Sequence, residues 1–226
     1  MAGKVDIVAL GELLIDFTEA GFSANGQKLF EQNPGGAPAN LLTVASHFGF
    51  QTAFIGKIGK DMQGEFLKKS LQSEQIDTRA LVEDENYFTT LAFVEVSETG
   101  ERTFSFARKP GADTKIQKEE VDVDVLDHTH IFHVGSLSLT DQPARDTTFY
   151  AVKIAKNKGS VISYDPNYRA SLWPDEKTAK KHMRSLVPYV DLMKISDEET
   201  ELLTDHKDVR EASAQVDSIR FPVDST

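Results

Sequence analysis

Acidic, amide and hydroxyl side chains collect directly after several apolar runs of this sequence. They occur at Asp16, the end of "GELLID", and in "GSLS" (135–138), "DPNYR" (165–169) and "SDEE" (196–199). Ionised carboxylates accept hydrogen bonds and asparagine both donates and accepts them, so residues of these types suit a ligand rich in hydroxyl groups. Any one of these places could equally be a polar loop or a helix cap, but four together favour a ligand site.

A second pattern is the segment "NPGGAPAN" (33–40), which runs directly into an apolar stretch. Gly35 and Gly36 lack side chains, so a ligand could approach the main chain and its N–H groups there. Asn40 falls in the first turn of the helix that follows, where it offers both donors and acceptors to a polyol. Asp16 would accept hydrogen bonds from two hydroxyl groups of the same ligand. Taken alone, the segment is also consistent with a turn before a surface helix.

The elements that must position these residues alternate between strands and helices. Apolar, β-rich runs predict strands at 5–10, 52–56, 130–134, 160–165 and 190–195. Apolar residues at helical spacing predict helices at 38–48, 62–72, 143–157 and 175–186. This alternation predicts an α/β fold with a mostly parallel sheet covered by helices on both faces. Such sheets bind ligands outside the carboxyl ends of their strands, where the polar residues are expected to meet.

One pair of predicted strands does not follow this alternation. "TTLAFVEV" (89–96) and "RTFSFAR" (102–108) flank a short polar turn and predict an antiparallel hairpin. We expect a small β lid, with residues 12–33 as its other half. Phe104 and Phe106 are two residues apart on one face of a strand, where they could exclude water from a ligand. The same rings could also pack in a dimer contact.

Composition narrows the class of protein. The chain has 226 residues, a net charge of −11 and no cysteine. The negative charge argues against nucleic acid and anionic membranes as partners, and the lack of cysteine excludes disulfides and zinc–thiolate sites. The N-terminus does not resemble a secretory signal, and no apolar run is long enough to span a bilayer. The sequence therefore predicts a soluble, cytoplasmic protein.

Several familiar catalytic and metal-binding motifs are not found in the sequence. It has no P-loop, no G-x-G-x-x-G spacing and no G-x-S-x-G elbow, which argues against P-loop NTPases, dinucleotide-binding folds and α/β-hydrolases. His128, His130 and His133 are close in sequence, but His128 precedes the predicted strand. His130 and His133 are an odd number of residues apart and point to opposite faces. We interpret them as ordinary loop and strand residues rather than zinc ligands.

An ordered set of segments resembles the ribokinase-like sugar kinases of the PfkB family. The segments are "GELLID" (11–16), "GGAPAN" (35–40), "FIGKIGKDMQG" (54–64), "FARKPGAD" (106–113), "YDPNYRASLW" (164–173) and "DLMKISDEE" (191–199). Each would be weak alone, but together they cover most of the chain. The resemblance implies a three-layer ribokinase-like α/β domain over 1–226, with lid segments at about 12–33 and 87–113. It also implies a kinase that uses ATP and Mg²⁺.

The resemblance assigns roles on the sugar side of the site. It implies that the sugar is bound by Asp16, Gly35, Gly36, Asn40, Phe106, Arg108 and Arg169. Phe106 and Arg108 match lid positions that close over the substrate. Arg169 would place a permanent positive charge near the sugar or the phosphates. Lids of this family often pair between subunits, so a homodimer through the β lid is expected.

On the nucleotide side, the resemblance implies contacts from residues near two strand ends, namely Asn167, Lys194, Ser196 and Glu199. Glu199 keeps the acidic position of the family's N-x-x-E segment, which organises Mg²⁺ and its waters near the phosphates. Ser196 stands where many members have asparagine. Lys194 would face the nucleotide cleft.

The family's second motif, G-A-G-D, does not occur in the 226 residues. Phosphoryl transfer needs a base for the attacking hydroxyl group and donors for the charge on the γ-phosphate, and this motif supplies both. The sequence ends in "FPVDST", which resembles the lead-in to the motif, so the base is expected after Thr226. Asp224 corresponds to an acid of that lead-in and is a candidate metal ligand, with K⁺ as a further candidate cation. The short spacing between Glu199 and Asp224 implies that an internal segment is also missing.

The motifs also bear on the substrate. "GGAPAN", R-x-P-G-A-D and "DPNYRASLW" are most similar to fructokinases, which implies transfer of the γ-phosphate of ATP to the primary hydroxyl group of fructose. Kinases of 2-keto-3-deoxygluconate share "NYR" followed by "LW", so that sugar is an alternative. A non-catalytic sugar-binding homologue that lacks the transfer half is the other alternative.

Overall fold

A computed structural model describes residues 5–96, 102–127 and 129–220 of the chain. The strands are β1 (Ile7–Leu10), β2 (Leu14–Phe22), β3 (Lys28–Gly35), β4 (Thr52–Gly59), β5 (Leu81–Asp84), β6 (Leu91–Val96), β7 (Arg102–Ala107), β8 (Ile131–Gly135), β9 (Val161–Asp165) and β10 (Leu192–Met193). The α-helices are α1 (Ala37–His47), α2 (Met62–Ser73), α3 (Ala144–Asn157), α4 (Glu176–Leu186), α5 (Asp197–Thr204) and α6 (Val209–Arg220). None of these described helices combines the length and apolar composition that crossing a bilayer requires.

The central sheet consists of parallel strands in the order β10, β9, β8, β1, β4, β5. β1 lies in the middle, where Ile7 is opposite Thr52 of β4 and Ile131 of β8. β1, β4 and β8 are buried along almost their whole length, because both faces of the sheet are covered. This burial explains why their sequences are continuous apolar runs rather than alternating ones. The α/β fold class predicted from the sequence is confirmed.

Two apolar cores, one on each face of the sheet, hold the helices in place. On one face, Leu42 of α1 and Leu67 of α2 pack in the core that contains Phe54 of β4. On the other face, Ala151 of α3 and Met183 of α4 pack in the core built on β1, β8 and β9. Burying a leucine or methionine side chain completely stabilises a fold by roughly 1.5–3 kcal/mol. These contacts fix the carboxyl edge of the sheet, where the polar strand ends collect.

The other four described strands form a second sheet, called the lid below, in the order β3, β2, β6, β7. β2 pairs antiparallel with β3 and parallel with β6, and β6 pairs antiparallel with β7. These strands overlap the two predicted lid segments, and the turn at 97–101 lies outside the described residues. On the outer face, the rings of Phe17 and Phe93 stack 5.3 Å apart, and Phe30 meets Phe93 edge-on at 5.8 Å.

Two strands, β4 and β10, differ most in length from the sequence prediction. β4 continues to Gly59 because its last residues pair with β5, and in this part Lys57 is buried in ion pairs with Asp84 (2.8 Å) and Glu120 (2.7 Å). A lysine in a sequence favours an exposed position, because a buried lysine needs partners that neutralise its charge. The partners of Lys57 are distant in sequence, so the sequence alone did not predict its burial. β10 has only two of the residues predicted at 190–195 and pairs with β9 alone at the edge of the sheet.

The histidine near the end of β8 belongs to the packed interior of the fold. His133 is buried, and its Nδ1 lies 3.0 Å from Ser163 Oγ of β9. Burial lowers the pKa of His133 to about 4, so the ring is neutral at physiological pH. His128 lies outside the described residues. Within the described ranges, no three His, Asp or Glu side chains are grouped so that they could hold a metal ion.

Candidate functional site

A cavity of about 290 Å³ lies between the carboxyl edge of the central sheet and the inner face of the lid. Of the residues predicted to bind sugar or phosphates, it is lined by Asp16, Gly36, Asn40, Phe106, Asn167 and Arg169. They come from β2, the start of α1, β7 and the loop after β9. Elements that are distant in sequence therefore line one cavity with a carboxylate, two amides, a cation and an aromatic ring.

Strand alternation and helix geometry bring Asp16 and Asn40 to this cavity. Along β2, Asp16 and Thr18 face the cavity, whereas Ile15 belongs to a buried core. Asn40 lies one turn into α1, where its backbone N–H donates to the carbonyl oxygen of Gly36 at 2.9 Å. A carboxylate acceptor and an amide that both donates and accepts therefore share one cavity, an arrangement that suits adjacent hydroxyl groups.

The adjacent glycines make room for atoms of this chain. A Cβ atom on Gly35 would clash with the carboxylate of Asp16, and one on Gly36 would clash with the carbonyl oxygen of Glu12. Gly36 also has a φ of 117°, which side chains of L residues rarely adopt. Both glycines are buried; Gly36 lines the cavity, whereas Gly35 does not line it and lets the Asp16 side chain lie over it.

The structure adds Glu12, which the sequence analysis did not single out. Glu12 lines the cavity with 2% of its surface exposed, and its Oε1 accepts a hydrogen bond from the backbone N–H of Ala37 at 2.9 Å. Its buried Oε2 has no hydrogen-bond partner among the described residues. Burial raises the pKa of Glu12 to about 7, although hydrogen bonds from the Glu12 and Ala37 amides oppose the shift. The sequence contained one sign that could have pointed to Glu12, namely that it is an acid directly before the apolar run that ends at Asp16.

Arg108 lies below the lid rather than over the cavity. Its Nη2 is 2.6 Å from Asp113 Oδ2, and both side chains are almost fully buried. Further hydrogen bonds run from its Nη1 to Thr140 Oγ1 (2.8 Å) and from its Nη2 to the Leu137 carbonyl oxygen (2.9 Å). Arg108 lines a neighbouring cavity of about 260 Å³ but not the first one. The geometry supports a structural role in anchoring β7, in place of the predicted contact with substrate.

Arg169 is the cation that does line the cavity. Its guanidinium carbon lies 5.5 Å from the centre of the Phe104 ring, within the range of a cation–π contact. The ring of Phe106 stacks 6.0 Å from that of Phe104 on the same face of β7. The contact joins the loop after β9 to the lid, so Arg169 both carries charge into the cavity and holds its aromatic wall.

The residues predicted for the nucleotide side follow β9 and β10 but have structural partners. Lys194 Nζ lies 3.1 Å from Asp165 Oδ2. Ser196 and Glu199 form a capping box at the start of α5, in which Glu199 Oε2 accepts from Ser196 N at 2.8 Å. Glu199 Oε1 accepts from the backbone N–H of Tyr168 at 2.8 Å. Both oxygens of Glu199 therefore accept hydrogen bonds from neighbouring main chain, and no group of three His, Asp or Glu side chains suited to a metal ion occurs among the described residues. Asp224 lies outside the described residues.

Comparisons with known proteins agree with this architecture. The family described as "pfkB family carbohydrate kinase" matches residues 4–223. The chain is 43% identical over 200 residues to "Probable fructokinase-7" of Arabidopsis thaliana, covering 88% of this chain and 58% of that protein. It spans less than two thirds of the length of the first curated relatives that it matches.

Solved structures match in fold as well as in sequence. A fructokinase with bound ATP from Xylella fastidiosa has a TM-score of 0.88 at 32% identity, covering 96% of this chain and 70% of that one. A double mutant of fructokinase from Vibrio cholerae O395, in its fructose, ADP and potassium ion bound form, has a TM-score of 0.85 at 29% identity. That match covers 98% of this chain and 70% of the other.

Proposed function

The chain belongs to the pfkB family of carbohydrate kinases, and from that membership we propose that the whole protein transfers the γ-phosphate of ATP to the primary hydroxyl group of fructose. The observation that carries the proposal is the shared cavity of Asp16 and Asn40 at the carboxyl edge of a parallel sheet. The Arabidopsis and bacterial relatives named as fructokinases support fructose as the sugar.

The cavity residues have distinct roles in this proposal. Asp16 accepts hydrogen bonds from two sugar hydroxyl groups, and Asn40 both donates to and accepts from a third. Phe104 and Phe106 keep water from the sugar and limit its orientations. Arg169 attracts the negative charge that arrives with the phosphates. The base that removes the proton of the attacking hydroxyl group is not assigned to a described residue and stays a prediction for the G-A-G-D motif.

ATP is the proposed phosphate donor, and the ATP-bound relative supports it. The loop after β9 and the segment after β10, with Asn167 and Lys194, are the proposed phosphate side. A divalent ion would neutralise phosphate charge during transfer, and Glu199 could orient its waters while keeping its own hydrogen bonds, because each carboxylate oxygen has two lone pairs. Potassium and a cytoplasmic location also stay predictions.

Release of ADP tests the proposed reaction. With full-length protein, fructose, ATP and Mg²⁺, we expect sugar-dependent ADP release at about 1–100 per second, as is typical of kinases. The same assay without sugar is the control and should give only background. ADP release with 2-keto-3-deoxygluconate but not with fructose would contradict the sugar assignment.

A second sugar has one specific observation in its favour. Arg169 places a cation in the cavity, and the carboxylate of 2-keto-3-deoxygluconate would pair with it. This kinase activity is therefore the alternative, and the assay above separates the two sugars. A non-catalytic sugar-binding homologue is the remaining alternative, and it predicts sugar binding with no ADP release from either sugar.

We also propose a homodimer formed through the lid. The outer face of the lid carries Phe17, Phe30 and Phe93, and 37% of Phe93 is exposed despite its stacking contacts. Exposed aromatic clusters of this kind are typical of interfaces between subunits. Phe93→Lys should therefore shift the mass measured by light scattering from a dimer to a monomer.

The exposed Phe48, at the end of α1, provides the control for this substitution. Phe48→Lys introduces the same charge away from the lid and should leave the dimer intact. A wild-type protein that is monomeric at micromolar concentration, or a Phe93→Lys variant that stays dimeric, would contradict the lid interface.

A further inference from the structure

Glu12 is a buried acid whose hydrogen bonding is incomplete. It follows β1, and only 2% of its surface is exposed. Oε1 accepts from Ala37 N at 2.9 Å, whereas Oε2 has no partner among the described residues. A buried carboxylate oxygen without a hydrogen-bond partner lowers the stability of the fold. An acid at such a position is therefore expected to have a role other than packing.

Glu12 binds the turn before α1 and packs closely against it. Its carboxyl group accepts a hydrogen bond from the backbone N–H of Ala37, and its carbonyl oxygen lies so close to Gly36 that an added Cβ atom there would clash with it. Gly36 is the N-cap residue of α1, and because it is a glycine it has no side chain that could cap the helix. One turn later, the backbone N–H of Asn40 donates to the Gly36 carbonyl oxygen at 2.9 Å. The position of Asn40 in the cavity therefore depends on main chain that Glu12 holds.

The charged groups around Glu12 come from several elements. Asp16 of β2 and Arg169 of the loop after β9 line the same cavity. Arg108, after β7, lowers the pKa of Glu12, and the neighbouring Asp113 raises it. α1 and the loop after β8 contribute only uncharged residues to the cavity lining. The larger effect is burial, which raises this pKa to about 7, so both forms are populated near neutral pH.

We propose that Glu12 is a positioning residue for the sugar: its ionised carboxyl group holds the Gly36–Ala37 main chain, and through it Asn40, in the arrangement that binds the hydroxyl groups. The proposal rests on the proposed function. A carboxylate accepts a stronger hydrogen bond from an amide than a neutral acid does. Sugar binding therefore favours the ionised form, and sugar affinity should be high above about pH 7 and fall as Glu12 becomes protonated.

Calorimetric titration with fructose, without nucleotide, tests this proposal. For the wild-type protein we expect Kd to rise about fivefold as the pH falls from about 8 to about 6, as follows from a pKa of about 7 when the ionised form binds about tenfold more tightly than the protonated form. Glu12→Gln keeps an oxygen for the Ala37 amide, so the turn can form, but the side chain cannot ionise. We expect this variant to bind about tenfold more weakly at about pH 8, with a Kd that no longer depends on pH over this range.

Asp175→Asn is the matched control, because Asp175 also accepts a backbone N–H at a helix start, from Thr178 at 2.7 Å, but lies outside the cavity. It should keep the affinity and pH dependence of the wild-type protein. Urea unfolding is the second measurement. Glu12→Gln should raise the urea midpoint at about pH 8, because it removes a buried charge, and the gain should shrink towards pH 5. A residue that only capped the helix would instead lose stability on substitution.

The outcomes separate this proposal from the proposed function. Wild-type binding of fructose that Glu12→Gln leaves unchanged in strength or in pH dependence overturns the role of Glu12 alone. A lowered urea midpoint for Glu12→Gln at about pH 8, together with a fructose affinity reduced by the same factor at every pH, also overturns it, because the loss would then come from damage to the fold rather than from the missing charge. A wild-type protein that binds neither fructose nor 2-keto-3-deoxygluconate at any pH overturns the proposed function together with this proposal.

Discussion

Replacing Arg108 with methionine is expected to lower the free energy of unfolding by about 3–5 kcal/mol, as breaking a buried ion pair does. The side chains of Arg108 and Asp113 are 3% and 1% exposed, so the substitution leaves a buried carboxylate without its charge partner. It also removes hydrogen bonds to Thr140 and Leu137, which tie β7 to the loop after β8. Urea unfolding followed by circular dichroism measures the loss.

Two further variants make the Arg108 prediction specific. Arg108→Met combined with Asp113→Leu should recover part of the lost stability, because no charge then stays buried without a partner. Lys69→Met removes an exposed ion pair with Glu65 on α2 and should leave the urea midpoint almost unchanged. If Arg108→Met unfolds at the wild-type urea concentration, the buried pair does not support the fold.

Arg108 also illustrates why residue roles are harder to predict than elements. In the sequence it follows two phenylalanines on a lid strand, which is consistent with a cation above the substrate. Asp113 lies only five residues away, but the intervening chain has to turn back before the two can pair. Thr140 and Leu137 belong to another strand end altogether. Strand alternation predicts which face Phe104 and Phe106 share, but not which carboxylate neutralises a nearby cation.

Apolar periodicity was a reliable guide to the larger elements. Helices predicted at 38–48 and 62–72 correspond to α1 and α2 within one residue at each end, because their buried positions recur at helical spacing. The strand ending at Asp165 was found because it is an apolar run before a polar turn. β5, α5 and α6 were not predicted. β5 is short and only partly buried, and α5 begins in a run of acids whose capping box with Ser196 becomes evident only in the structure.

The cavity was predictable in outline because parallel strands end at a common edge. That rule groups Asp16, Asn167 and Arg169, which line one cavity in the structure, whereas Asn40 was singled out by its place in the first turn after the adjacent glycines. It could not reveal that the space above Gly35 is filled by the Asp16 carboxylate. Hydrogen bonds between distant segments decide which polar residues face the ligand and which stabilise the fold. No local sequence pattern predicts these hydrogen bonds.

Asp16→Asn is expected to weaken fructose binding by about 100-fold or more. Hydrogen bonds to a charged group each contribute about 1.5–3 kcal/mol, and the carboxylate is proposed to accept two. Asparagine has almost the same shape, so the cavity and the contact with Gly35 are retained. However, its amide group brings N–H donors to a place where the sugar also presents donors. Calorimetric titration with fructose at constant pH measures the change.

The control for Asp16→Asn is Glu31→Gln on the adjacent strand β3, where Glu31 is exposed and opposite Thr18. It removes one negative charge from the same sheet without touching the cavity, so the fructose affinity should stay within about twofold of the wild type, as for a screened surface charge. A comparable loss in both variants would mean that net charge, rather than a direct contact from Asp16, governs binding. Asp16 belongs to the lid, whereas Asn40 belongs to α1, which packs on the central sheet. A loss confined to Asp16→Asn would therefore indicate that the lid takes part directly in holding the sugar.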